Sequence, residues 1–241
     1  MNTDLQDKMD YKKHNLLKLV LGLRESPKRF STLQLALERA RYYCGNDKGQ
    51  LEYSDIDFAT RQKYVEKMKL GQFISSNVDI GDLFVATLLY LNGLEQLGNL
   101  FYSAEGTNNG ISDVLMHAQN VGLVHFENDN SINALKRLRH ALAHNYGLVS
   151  IPPKHTKTKY YYKYILTYNH NTHKVIEMPK SEWDCDYSNK SKRSSVVVHF
   201  YPLINMIENV FRNAQQEFIN GTIICAMDKD EIETNYTITI K

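Results

Sequence analysis

Asp79-Ile80-Gly81-Asp82-Leu83-Phe84-Val85-Ala86-Thr87-Leu88-Leu89-Tyr90-Leu91-Asn92-Gly93-Leu94-Glu95-Gln96-Leu97-Gly98-Asn99-Leu100-Phe101 is the most apolar stretch of the 241-residue chain. Its large apolar side chains, among them Leu83, Phe84, Leu88, Leu91, Leu94 and Leu97, recur at spacings of three and four and spread around the helical wheel. A helix buried on most of its circumference follows, the central member of a bundle. Helical spacing continues on the N-terminal side, at Leu16, Leu17, Val20 and Leu21, at Leu33, Leu35, Ala36 and Ala40, and at Phe58, Tyr64, Val65 and Met68. On the C-terminal side a shorter helix is expected from Ile111 to Val121. After the polar turn Glu127-Asn128-Asp129-Asn130, Ser131 is expected to cap a helix running to Tyr146, with Gly147 as its stop.

Past residue 150 the pattern changes. Pro152-Pro153 breaks the helical spacing, and strand-like runs follow at Tyr160–Tyr168, Lys174–Met178 and Ser195–Phe200. The bridge Asn169-His170-Asn171-Thr172-His173 reads as the turn of a hairpin between the first two strands, or, less simply, as a pair of metal-ligating histidines. Helical spacing resumes through Leu203, Ile207, Val210, Phe211, Ala214 and Phe218 and ends at Asn220-Gly221. Tyr236–Ile240 alternates like a strand. The expected fold is mainly α: a helical bundle over residues 1–150, then over 151–241 a small β-hairpin or sheet appendage and a late helix that packs back on the bundle.

Composition narrows the class without naming it. The charged fraction is 23% and the formal net charge +2, so any nucleic-acid surface must be local. Cys44, Cys185 and Cys225 are odd in number, far apart and outside any CxxC or Cys/His ligand spacing, which reads as reduced thiols with no metal or other cofactor. The start, Met1-Asn2-Thr3-Asp4, lacks a basic-then-apolar leader, and no apolar run reaches the roughly 18 residues of a membrane span. The expected location is the cytoplasm, with no membrane partner.

The segment Leu138-Arg139-His140-Ala141-Leu142-Ala143-His144-Asn145-Tyr146 closes an amphipathic helix with Arg, four residues, His, one residue, Tyr. With nine Arg and nine His in the chain, an Arg-x4-His pair arises by chance about a third of a time, and the added Tyr lowers that to about 0.02. The segment resembles the HEPN nucleotide-binding and ribonuclease superfamily, in which an Arg-x4-6-His signature lies near a helix end. In that family a polar residue commonly follows the Arg, here His140, and some toxin members extend the signature to Arg-x4-His-x-Tyr. The resemblance covers the motif and, more generally, the all-helical pattern up to about residue 150; the β appendage falls outside it. It implies a homodimeric cleft that cleaves RNA, as in a toxin or defence effector. It also implies a nucleotidyltransferase antitoxin as a partner, acting on Tyr146.

The chemistry of these residue types agrees. A histidine near neutrality can take the proton of an RNA 2′-hydroxyl or give one to the leaving oxygen, the role expected of His144. The guanidinium fork of Arg139 suits a phosphate whose equatorial oxygens gain charge. His140 and Asn145 are placed to position phosphate or ribose. Since the 2′-hydroxyl is itself the nucleophile, the implied product is a 2′,3′-cyclic phosphate and no metal is needed. Arg137-x6-His144 also fits the looser spacing, so Arg137 remains an alternative to Arg139.

On the wheel Arg139 falls in the middle of the stripe Ile132, Leu135, Leu142, Ala143 and Tyr146, and His144 lies about 140° away. Convergence of the two therefore calls for a second copy across a twofold axis. A purely structural reading stands beside this one, with Arg139 on helix-terminal carbonyls, His144 capping the last turn and Tyr146 in the core. A non-catalytic HEPN module that binds RNA or nucleotide, and a helical interaction scaffold, are the other functional classes.

RNA contacts are expected from the appendage. Between Lys154 and Arg193 nine Lys/Arg stand against four acids, a local charge of +5. Lys157, Lys159, Tyr160, Tyr162 and Lys163 interleave cations with aromatic rings, a combination that meets phosphates and stacks unpaired bases. A tyrosine-rich β-hairpin whose lysines are merely solvated stands as an equal alternative. Trp183 is assigned to packing.

Overall fold

A computed structural model describes residues 3–44, 80–103, 109–128, 130–145, 147–151, 161–167, 172–188, 191–225 and 227–239. In chain order its elements are α1 (Thr3–Val20), β1 (Arg29–Ser31), α2 (Thr32–Tyr43), α3 (Ile80–Phe101), α4 (Gly110–Asn120), α5 (Ser131–Asn145), β2 (Val149–Ser150), β3 (Tyr162–Thr167) and β4 (Ile176–Glu177). A 3-10 turn (Lys192–Ser194), β5 (Val196–His199), α6 (Phe200–Ile219), α7 (Lys229–Tyr236) and β6 (Thr237–Thr239) complete them. The fold is mainly α, as the spacing predicts.

The central helix is α3. Leu83, Ala86, Thr87, Tyr90, Leu91, Leu94, Leu97 and Leu100 are all buried, so apolar area is removed from water on several sides at once. Where α4 crosses it, backbone meets backbone: a Cβ on Gly98 would lie 1.9 Å from the Gly110 carbonyl oxygen. Only a residue without a side chain permits that approach. A single apolar cluster joins Val20, Leu33, Leu94, Leu138, Val198 and Ile207, so the late helix α6 shares its core with the first five helices. In α2 the inward positions are Leu33, Leu37 and Ala40, with Leu35 and Ala36 only half-buried. Phe58, Tyr64, Val65 and Met68 lie outside the described residues.

Inside this core a charged group is held by full pairing. Arg41 of α2 donates from Nε and Nη2 to the two oxygens of Glu208 on α6, at 2.7 and 2.8 Å, and the Tyr90 hydroxyl of α3 donates to Glu208 at 2.8 Å. Burial pushes the Glu208 carboxyl up, but Arg41 and Tyr90 more than offset it, and it lies below the ordinary value of 4.5.

The small sheet differs from the expected hairpin. Its strand order is β2-β3-β5-β4, with β3 parallel to β5 and β4 antiparallel to β5 on the other side. The strands on either side of Asn169–His173 are therefore not paired to each other. Val196-Val197-Val198 is the most apolar strand, and burial of Val196 and Val198 gives it the interior place between them. His173 is exposed, and His170 lies outside the described residues.

Three further differences concern ends and short pieces. Ser131 is the first buried residue of α5 rather than its cap, since the Asn130 carbonyl accepts the helical bond of Ala134. The C-terminal strand β6 pairs antiparallel with β1, Arg29 opposite Thr239, and β1 is too short to leave a periodic signal. The helix α7 was not expected, although Asp228 and Glu231 stand at capping-box spacing; the Asp228 carboxylate accepts from the Glu231 N–H at 2.7 Å.

Candidate functional site

Helix α5 turns Ala134, Leu135, Leu138, Ala141 and Leu142 into the core. That leaves Arg139 on the flank that meets α3, where an unpaired guanidinium would be costly. Two polar residues one turn apart on α3 receive it. Arg139 Nε donates to Asn92 Oδ1 at 3.0 Å, and its terminal nitrogen forms an ion pair with the Glu95 carboxylate. The arginine side chain remains 25% exposed. Burial moves the Glu95 carboxyl upward from its ordinary range, opposed by the positive fields of Arg139, Lys136 and His144.

The last two turns of α5 carry the histidines outward. His140 and His144 are both exposed, with ring centroids 4.4 Å apart, as i and i+4 neighbours should be. Although His140 is exposed, its imidazole is held below the ordinary value of 6.5, first by partial desolvation against the helix and then by the positive fields of His144, Arg137 and Arg139. Arg137 is half-buried and within electrostatic reach of both His140 and Tyr164 of β3, whereas Arg139 is paired to α3. Tyr164 anchors that side through a 2.8 Å hydrogen bond to the Ala134 carbonyl. Asn145 is the last residue of α5, and Tyr146 lies outside the described residues.

Glu95 thus stands in the field of both motif residues within a single chain. Neither it nor Asn92 was singled out by the motif. Their signal was present as two polar residues, three apart, interrupting the chain's most apolar helix. The structural alternative takes a different form from helix-terminal carbonyls: Arg139 bonds laterally, to side chains of the neighbouring helix.

The residues expected to meet RNA divide. Lys157, Lys159 and Tyr160 lie outside the described residues. Strand alternation turns Tyr162 and Tyr164 inward, both buried with rings 6.0 Å apart, and so Tyr162 presents no face to a base. Tyr161 points out, at 40% exposure. The Lys163 ammonium lies 5.9 Å from the ring centroid of buried Trp183, and Trp183 Nε1 donates to the Asp186 carbonyl, so the tryptophan packs as expected.

Among the described residues no group of three His, Cys, Asp or Glu is placed to hold a metal ion, and no helix is long and apolar enough to cross a membrane. Comparison with known proteins adds no likeness: no family model matches the chain, and neither a curated protein nor a solved structure matches it.

Proposed function

We propose that this chain is a HEPN-type endoribonuclease of the cytoplasm that cleaves RNA by attack of the 2′-hydroxyl, with Arg139 and His144 as its catalytic residues. The observation that carries the reading is the end of α5, where exposed His144 stands one turn from His140 and its charge reaches the same carboxylate, Glu95, that orients Arg139. A neutral His144 takes the 2′-hydroxyl proton while the 2′-oxygen attacks phosphorus. The phosphorus–O5′ bond breaks, and a second, protonated His144 from a twofold-related copy gives its proton to the leaving oxygen. Products are a 2′,3′-cyclic phosphate and a 5′-hydroxyl. Arg139 donates to the equatorial oxygens in the transition state, and Glu95 and Asn92 act as positioning residues that fix its fork. In this reading the chain works as a toxin or defence effector, with Tyr146 open to modification by a nucleotidyltransferase antitoxin.

One observation favours a second reading, a helical module in which the cluster is structural. Two of Arg139's donors are engaged by α3 side chains. The test treats both. Wild type, His144→Ala and Arg139→Lys are incubated with labelled single-stranded and hairpin RNA in excess EDTA, and product ends are analysed. Cyclic-phosphate ends from wild type, lost in His144→Ala with an unchanged melting curve, are expected. No cleavage by wild type, or equal cleavage by His144→Ala, would refute the nuclease.

A further inference from the structure

The α1–β1 segment and the C-terminal α7–β6 segment enclose an open cleft of about 670 Å³. Lys12, Asn15, Leu16 and Leu19 recur at helical spacing, so one face of α1 forms its wall, with the two leucines as an apolar floor. The loop entering β1 adds Arg24, Glu25, Ser26 and Lys28, and the pairing of Arg29 with Thr239 closes the far side. Five cationic side chains against two acidic ones leave the lining at +3, more than the +2 of the whole chain.

These charges are not equivalent. Glu233 holds Arg29 at 2.5 Å and Lys229 at 3.1 Å, which neutralises part of that pair and fixes both side chains. Lys12, Arg24 and Lys28 form no ion pair among the described residues and stand exposed at the mouth. Like charges gathered around a concave surface repel one another, and an anion relieves that cost. Volume fits a small organic molecule, since ligand pockets run from about 300 to 1,000 Å³. The carboxylates of Glu25 and Glu233 interrupt the basic rim, which disfavours a continuous phosphodiester strand.

We propose that this cleft binds a small organic polyphosphate, with phosphates on Lys12, Arg24 and Lys28 and an apolar body over Leu16 and Leu19. The cleft shares no residue with the cluster around Arg139 and His144, so the proposal stands apart from the nuclease reading. Isothermal titration at low ionic strength tests it with four probes: ATP, inorganic triphosphate, adenosine and a 12-nucleotide single-stranded RNA. Expected are one-to-one binding of ATP, none of adenosine, and at least a tenfold loss in Arg24→Ala/Lys28→Ala, with His144→Ala binding as wild type. Triphosphate bound as tightly as ATP would overturn the apolar contact over Leu16 and Leu19, and with it the organic ligand. The proposal is overturned if ATP and triphosphate both fail to bind, or if the double variant binds them unchanged. It is overturned equally if RNA binds more tightly than ATP and is weakened by the same variant. Both substituted residues are exposed, and equal melting temperatures verify the fold.

Discussion

The Arg139 guanidinium is clasped by the Glu95 carboxylate of the neighbouring helix, a partly buried charge pair where α3 meets α5. The pair accounts for an arginine in the middle of an apolar stripe, and it means that the motif arginine contributes to the α3–α5 packing whether or not it meets a phosphate. Removing one partner leaves the other charge partly buried and unmatched. Arg139→Ala is accordingly expected to lower stability by about 1–3 kcal/mol. A double-mutant cycle with Glu95→Gln should show a coupling of about 1 kcal/mol or more in urea unfolding. Additive single effects would show that the pair carries no stability.

His140 reports on its neighbours. Its imidazole is held below 6.5 by partial desolvation first and by the charges of His144, Arg137 and Arg139 next. Deleting the His144 ring removes one of the cationic contributions and leaves the desolvation in place, so in His144→Ala the His140 titration should move upward but stay under 6.5. A depressed histidine pKa means that the fold favours the neutral ring. This contribution to stability is present above pH 6.5 and is lost as pH falls through the depressed value. NMR titration of the imidazole signals measures it, and an unmoved His140 curve in the variant would show that His144 exerts no field there.

What the sequence made legible follows from range. The α3 helix and the inward face of α6 could be read because their apolar spacing is written in consecutive residues. The order of the sheet could not, because which strand lies between two others depends on the burial of Val196 and Val198 against a core assembled from distant segments. At the candidate site the local motif gave Arg139 and His144, while Asn92 and Glu95 came from 44 or more positions away and carried no motif of their own. The cleft between α1 and α7 joins residues from opposite ends of the chain, brought together by the β1–β6 pairing, by the packing of α1 against α7 and by the Arg29–Glu233 ion pair.

Acid should loosen the bundle through Glu208. Its pKa is depressed because Arg41 and Tyr90 stabilise the ionised form more than burial penalises it. The associated stability is therefore present above the ordinary value of 4.5 and is lost as pH falls through the depressed one. Glu208→Gln should remove most of that acid sensitivity. It should also cost about 3–5 kcal/mol at neutral pH, because Arg41 is left buried without its counter-charge. Urea midpoints between pH 3 and 7 measure both effects, and a variant as stable as wild type at neutral pH would contradict the pairing.

The crossing of α3 and α4 gives a prediction free of any electrostatics. A methyl group on Gly98 would meet the Gly110 carbonyl oxygen at 1.9 Å, and one on Gly110 would meet the Glu95 carbonyl oxygen at 2.3 Å. Both obstacles are backbone, so neither can be relieved by a rotamer change, and the helices must separate. Gly98→Ala exchanges a poor helix former for the best one, a gain of about 1 kcal/mol in an isolated helix. Here the clash outweighs it, and a net loss of about 1–3 kcal/mol is expected, comparable with other overpacked sites. Thermal unfolding of the variant decides the sign. Because Glu95 lies on the same stretch of α3, displacement of that backbone should also disturb its pairing with Arg139, and a stabilised Gly98→Ala would mean that the two helices do not cross as closely as this.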